Sequence, residues 1–330
     1  MDRPDSRLHI CLGTGCNNNC LFCMEEDRES RARRLGRIDT ATAKALMGEA
    51  LGRGEIMFTA GEPTLRPDLL ELIAEAARLG FGRIGLITNG RRFAYAGYLK
   101  GLLNAGLNYV LVSVHGHTAR LHDGLTRTPG AFEQVVAGLE NLRREGGHRR
   151  ELRFVITCVL NRRNLPVLPE LVAFFEDFGP HEIVFNAIQP LGRGDRFFDV
   201  LVPRYTEIRE GFDSLVSKVG VSPLVRLLDV PACITHGLPS SLVGFVEEHE
   251  HFEPGGAVLD GTAKDGPGNV PGFDRVTRET LDAVLRSYGP LCDRCSARNR
   301  CEGVWQRYTR TYGFGEFLPL SEPEGAKDDG

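Results

Sequence analysis

Cys16, Cys20 and Cys23 fall within the eight residues Cys16-Asn17-Asn18-Asn19-Cys20-Leu21-Phe22-Cys23, spaced C-x3-C-x2-C. Thiolates this close in sequence can converge on one metal centre without help from distant segments. Zinc fills four positions and favours C-x2-C or C-x4-C pairs. Three thiolates on a short loop, with no adjacent fourth ligand, suit a cubane iron–sulfur cluster better. Such a cluster takes one ligand per iron, so its fourth iron would stay open to an exogenous ligand. The alternative is three reduced cysteines on a loop. A second group, Cys292, Cys295 and Cys301, lies near the other end of the chain.

The elements that would position these groups follow from apolar periodicity. Strands are expected at 8–11, 55–59, 83–88, 109–113, 152–160 and 182–188. Helices are expected between them at 40–51, 67–79, 95–105, 131–144 and 165–178. Regular alternation of this kind predicts a parallel α/β sheet with right-handed crossovers. Six units are too few for a full eight-stranded barrel. In parallel barrels chemistry sits at the carboxyl ends of the strands. The polar stretches fall there: the cysteine loop, 61–64, 88–90, 113–117, Asn161 and Gln189. Beyond Gly194 a bridging helix at 205–219 and a short strand at 225–228 are expected, then a Gly- and Pro-rich loop or lid at 254–272. The expected domains are a barrel over 7–200, a bridging segment over 201–228, a small C-terminal domain over 229–320 and an acidic tail over 321–330.

With 330 residues, 42% hydrophobic and 25% charged, the composition is that of a soluble globular protein. No apolar run approaches a membrane span, and Met1-Asp2-Arg3-Pro4-Asp5 lacks a signal core. Nine cysteines, six of them in two tight groups, point to metal ligation rather than a disulfide framework, and so to a reducing cytoplasm. A net charge of −4 gives no expectation of nucleic-acid binding. The arginine-rich stretches 28–37 and 143–153 read as solvated faces, or else as a basic rim for an anionic substrate.

The cysteine spacing resembles that of the radical S-adenosylmethionine (radical SAM) superfamily. Further stretches carry the same resemblance. Phe22, just before the third cysteine, would pack near the adenine of the cofactor. Ala60-Gly61-Glu62-Pro63 is similar to the family's Gly-Gly-Glu-Pro, whose backbone receives the methionine amino group. Ala60 departs from the pattern. Ser113 matches a serine that contacts the cofactor, and Asn89, ending the third strand, is counted with it. His122-Asp123 and Arg127 resemble a segment whose arginine meets the cofactor carboxylate, a suitable partner for a guanidinium fork. The alternative for Arg127 is a surface arginine. His115 and His117 could reach the pocket but read as structural groups or hydrogen-bond donors.

This resemblance implies an open, partial (βα)6 TIM-type barrel. It implies a [4Fe-4S] cluster on Cys16, Cys20 and Cys23 that binds S-adenosylmethionine at the open iron. One electron, from a donor such as flavodoxin or ferredoxin, would cleave the cofactor to methionine and a 5′-deoxyadenosyl radical. That radical would abstract hydrogen from the substrate. Cys292-x2-Cys295-x5-Cys301 with Gly303 resembles the auxiliary-cluster segment of SPASM and twitch domains. Trp305 stands where a fuller set has another cysteine, which leaves Cys233 as fourth ligand to one auxiliary [4Fe-4S] cluster. A zinc site is the rival reading, with His236 completing C-x2-H. Cys11 and Cys158, inside expected strands, read as buried thiols. The first strand begins by residue 8, so no peptide-binding domain is expected ahead of it. The expected substrate is a peptide or protein, with a small polar metabolite as the alternative. A reading of another class is a non-catalytic iron–sulfur sensor or scaffold.

Overall fold

Alternating short strands, rich in Ile, Val and Leu, are buried on their outer side and pair in parallel. The computed structural model describes residues 7–24, 38–49, 54–220, 222–244, 249–254 and 273–321. Strands β1 (Arg7–Cys11), β2 (Glu55–Thr59), β3 (Arg83–Thr88), β4 (Tyr109–Ser113), β5 (Arg153–Leu160) and β6 (Glu182–Ala187) lie side by side in chain order. Thus the six expected units form the sheet. It also extends beyond them. β7 (Val225–Leu228), expected in the bridging segment, pairs in parallel with β6. β8 (His249–Pro254) pairs in parallel with β1, and β9 (Phe273–Thr277) lies antiparallel outside it. The sequence of β8, His-Glu-His-Phe-Glu-Pro, has no apolar run to announce a strand. Of the expected 254–272 lid, all but Pro254 lies outside the described residues, as do the 28–37 arginine stretch and the tail beyond Ser321.

Helices α1 (Thr40–Gly48), α2 (Leu69–Arg78), α3 (Ala96–Asn104), α4 (Ala119–Thr126), α5 (Ala131–Gly146) and α6 (Leu168–Glu176) cover the outer face. In α2 the buried residues Leu69, Leu72, Ile73 and Ala76 recur at helical spacing, which gives it one apolar stripe for the sheet. The sequence reading passed over α4. Its Thr118 N-cap accepts a hydrogen bond from the Leu121 amide, and its buried face is His122, Leu125 and Thr126. Two of those three are polar, so the apolar stripe is too thin to read.

Strand alternation sends successive side chains to opposite faces. Outer residues such as Phe58, Val112, Ile156 and Phe185 belong to the main core under the helices. Met57, Tyr109, Val155 and Val184 form a separate inner cluster with Ile87, Leu111 and Leu228. Further up, Thr59, Ser113, Thr157 and Asn186 are only half-buried, so the carboxyl end of the barrel is an open, polar-lined lumen. The amino end is closed by charge. Arg7 and Arg83 both pair with Glu55, and both stack on Tyr109 at 5.4 and 5.2 Å. Glu182 draws in Arg226 at 3.5 Å and Arg153 at 3.8 Å.

The C-terminal segment carries α8 (Arg278–Leu285), the ribbon β10 (Arg286–Ser287) and β11 (Val304–Trp305), and α9 (Gln306–Tyr312). It packs on the barrel through aromatic rings. Tyr308 lies 4.7 Å from Tyr205, the first residue of α7 (Tyr205–Val219), and its hydroxyl accepts from the Tyr205 amide.

Candidate active site

The loop after β1 carries Cys16, Cys20 and Cys23, all reduced and half-buried. It is tied down on every side by the chain. The Glu62 amide donates to Gly15 O at 2.7 Å. The Asn19 and Leu21 amides donate to Thr126 O and Leu125 O of α4, each at 2.9 Å. Two arginines missed by the sequence reading complete the clamp. Arg91 donates to Asn17 O at 2.7 Å and to Asn18 Oδ1 at 2.9 Å. Arg193, almost wholly buried, donates to Asn19 O at 2.7 Å and also to Asn19 Oδ1. Neither arginine lies in a motif; only their meeting with the loop in space shows what they do.

The turn after β2 is bound to the same loop. Glu62 is buried and caps a short 3-10 turn, Pro63–Leu65. Its carboxylate accepts from Thr64 N at 3.1 Å, Thr64 Oγ1 at 2.6 Å, Thr88 Oγ1 at 2.6 Å and Asn89 N at 2.7 Å. Burial holds its pKa above the usual carboxylate value, and these donors offset only part of that rise. Asn89 then bridges to the cysteines: its Nδ2 donates to Asn17 Oδ1 at 2.6 Å and lies 4.0 Å from Cys16 Sγ. Gly61 must be glycine, since a Cβ there would meet Gly15 O at 2.4 Å and Gly13 O at 2.7 Å. Ala60 sits at φ 69, in the left-handed region where a side chain is strained.

The other expected cofactor residues lie around this network. Phe22 is buried, edge-on to His115 at 4.5 Å. Ser113 faces the lumen with its Oγ 3.3 Å from Thr157 Oγ1. Arg127 is exposed at the left-handed C-cap of α4, one residue beyond the Thr126 carbonyl that holds the cysteine loop. His115 and His122 stack at 6.0 Å. His115 Nδ1 accepts from the Val159 amide and His122 Nδ1 from the His115 amide, so both are neutral with the proton on Nε2. Burial holds the pKa of His115 well below its usual value, and that of His122 down to about 4. Each Nδ1 is thus engaged by a backbone amide, that of His115 by one from β5 and that of His122 by one just beyond β4. Asn161 ties off its own turn, and Gln189 Nε2 donates to Asp229 Oδ2 at 3.0 Å.

Asp229, at φ 61 beyond β7, is the other residue the sequence reading missed. Its carboxylate pairs with Arg286 at 2.7 Å, both side chains being almost fully buried. Arg286 also pairs with Asp282 at 2.7 Å and lies 4.2 Å from the Trp305 ring centroid. These carboxylates keep the guanidinium charged despite its burial. The pair holds the barrel rim to the C-terminal ribbon.

Beside that ribbon, Cys233, Cys292, Cys295 and Cys301 all line one small pocket, with Pro231, Tyr288 and Phe317 among its walls. The Gly289 and Leu320 amides donate to Cys292 Sγ and Cys295 Sγ, each at 3.3 Å. Burial pushes the Cys233 thiol up to about 11, and the facing Cys301, Cys295 and Cys292 add to the rise. His236 is exposed and does not line this cavity. Cys158 is fully buried and Cys11 half-buried in β1. Among the described residues, no three His, Cys, Asp or Glu side chains are close enough to hold a single ion. A cubane places each ligand on a different iron. The donor chemistry of the N-terminal loop, thiols with amide donors to sulfur (Asn18 N to Cys16 Sγ, 3.3 Å), fits such a cluster.

Residues 10–174 match the family model described as the Radical SAM superfamily. A heme synthase described as AdoMet-dependent, from Methanosarcina barkeri, is 30% identical over 203 residues, covering 61% of this chain and 56% of that protein. A probable GTP 3′,8-cyclase of Metallosphaera sedula is 30% identical over 247 residues, covering 73% and 72%. Among solved structures, SuiB of Streptococcus suis bound to S-adenosylmethionine superposes with a TM-score of 0.51 at 14% identity, covering 65% of this chain and 48% of that one. That likeness concerns the fold. The chain thus spans little more than half of the heme synthase and under half of SuiB.

Proposed function

Because the chain belongs to the radical SAM superfamily of enzymes, we propose that it cleaves S-adenosylmethionine reductively beside Cys16, Cys20 and Cys23 and takes a hydrogen atom from a peptide or protein. A [4Fe-4S] cluster on these cysteines, when bound, supplies the electron for breaking a sulfur–carbon bond. The protein holds and orients. Arg91 and Arg193 fix the cysteine loop through its backbone carbonyls. Glu62 fixes the Ala60–Pro63 turn, which receives the methionine amino group. Phe22 supports the adenine, Ser113 offers a hydroxyl in the lumen, and Arg127 meets the carboxylate. The observation that carries this reading is Asn89, which joins the Glu62 turn to Asn17 and the Cys16 sulfur as one network. A sensor or scaffold has no need of that link.

An auxiliary [4Fe-4S] cluster on Cys233, Cys292, Cys295 and Cys301 belongs to the same proposal. Its support is the shared cavity. The segment from His122 to Leu142, together with a single cysteine ahead of the C-terminal trio, resembles some peptide maturases and supports a peptide or protein substrate. A second reading, a small polar metabolite, is supported by the names of the sequence relatives, a heme synthase and a GTP cyclase.

The test is 5′-deoxyadenosine formation by anaerobically reconstituted protein with dithionite. Cys20→Ala should fall to background, and retention of the parental rate overturns the assignment. Peptides encoded beside the gene should raise product above the substrate-free rate. Stimulation by nucleotides or sugars, and by no peptide, replaces the first substrate reading with the second.

A further inference from the structure

The fold leaves two polar groups over on the buried face of α4. His122 is 1% exposed and Thr126 0%, one helical turn apart on the same side of the helix. His122 Nδ1 accepts from the His115 amide at 3.2 Å, so Nε2 carries the proton and can only donate. Among the described residues, neither His122 Nε2 nor Thr126 Oγ1 has a hydrogen-bond partner. Buried polar groups without a partner cost stability and are rare. Here two of them share one face.

That face meets the cysteine loop. The Leu125 and Thr126 carbonyls take the amides of Leu21 and Asn19, the two neighbours of Cys20. Cys20 between them is half-buried and packed against the core to which Leu125 belongs. Phe22 lies edge-on to His115 at 4.5 Å, and His115 stacks on His122. The two groups are also held firmly. Asp123 accepts from the Gly130 and Phe132 amides at 2.7 and 2.8 Å, which fixes the turn after α4. Gly116 presses on the helix, since a Cβ there would meet His122 N at 2.6 Å.

We propose that His122 and Thr126 are hydrogen-bond donors held for cluster sulfur at Cys20, and that they set the reduction potential of that centre. The inference rests on the reading of Cys16, Cys20 and Cys23 as cluster ligands. A neutral thiol is a weak acceptor, whereas an ionised sulfur accepts strongly. The two donors therefore gain partners when the loop carries its cluster. One-electron reduction adds a negative charge to the centre and makes or breaks no bond. Donors to sulfur favour the more negative state and so raise the potential. His122 and Thr126 act through the sulfur and not on the substrate, so they are positioning residues.

The test is a redox titration of the anaerobically reconstituted full chain, monitored by electron paramagnetic resonance. The signal followed is the one that shifts on addition of S-adenosylmethionine. Thr126→Val keeps the shape of the side chain and removes only the hydroxyl. It should lower the ratio of reduced to oxidised cluster at a fixed potential about tenfold, or about 59 mV for one electron. The urea midpoint of the cluster-free Thr126→Val chain should equal or exceed the parent's, because an unpartnered group is gone. A merely structural hydroxyl would give the reverse, a lower urea midpoint and an unmoved potential. His122→Phe should lower the ratio at least as far, and His122→Gln, which keeps a donor, should restore most of it. An unchanged ratio in Thr126→Val or His122→Phe, at the parent's iron content, overturns the role of that residue. If His122→Phe fails to fold, Thr126→Val alone decides. A triple variant Cys16→Ala, Cys20→Ala and Cys23→Ala that holds as much iron as the parent overturns the cluster reading, and this inference with it.

Discussion

Ala60 and His122 show how single residues carry the cost of building this site. Ala60 holds a left-handed backbone at φ 69 where glycine would be unstrained. Ala60→Gly should raise stability by about 1 kcal/mol in urea unfolding of the cluster-free chain, because it removes that strain. His122 is buried and neutral, with its pKa down at about 4. The unfolded chain takes up its proton near the ordinary value, about 6.5. The neutral ring's share of stability is therefore intact above pH 6.5. It is lost as pH falls toward 4, by about 3 kcal/mol in all. His122→Gln should cost stability at pH 7 and lose that penalty progressively by pH 4.5, measured as the gap between the two urea midpoints. A gap independent of pH would mean that His122 is not the group that resists protonation.

At the scale of elements, the barrel rim and the C-terminal ribbon meet through Arg286 and Asp229. Arg286→Met leaves Asp229 charged and buried without its cation, which should cost about 3–5 kcal/mol in unfolding. The double variant Arg286→Met with Asp229→Asn should recover much of that loss, because the orphaned charge is gone. A double variant as unstable as the single one would place the cost in packing against Trp305 instead. The sequence announced the strands and helices well where apolar residues recur at the period of the element, as in α2. It was silent on β8, which has no apolar run, and on α4, whose buried face is two-thirds polar. The cysteine loop was legible because its ligands are local. Arg91, Arg193 and Asp229 were not, since each acquires its role from a partner far away in the chain, 73 to 174 residues off for the two arginines.

For the whole molecule, the count of metal decides how many centres the chain carries. Reconstituted parent should hold about 8 iron atoms, two cubanes of four. The triple variant Cys16→Ala, Cys20→Ala and Cys23→Ala should hold about 4, with a cluster absorption band. One zinc and no iron in that variant would make the C-terminal group a structural zinc site and leave the barrel reading intact.

The tethering of the cysteine loop bears on how the protein ages. Backbone bonds from Glu62, Asn19 and Leu21, and side-chain bonds from Arg91 and Arg193, fix the loop through carbonyls and amides. None of these bonds passes through sulfur. Oxygen that destroys an exposed iron centre therefore leaves the cradle standing. Such an accident calls for new iron and sulfide and not for a new polypeptide, so the chain can outlive many of its own cofactors.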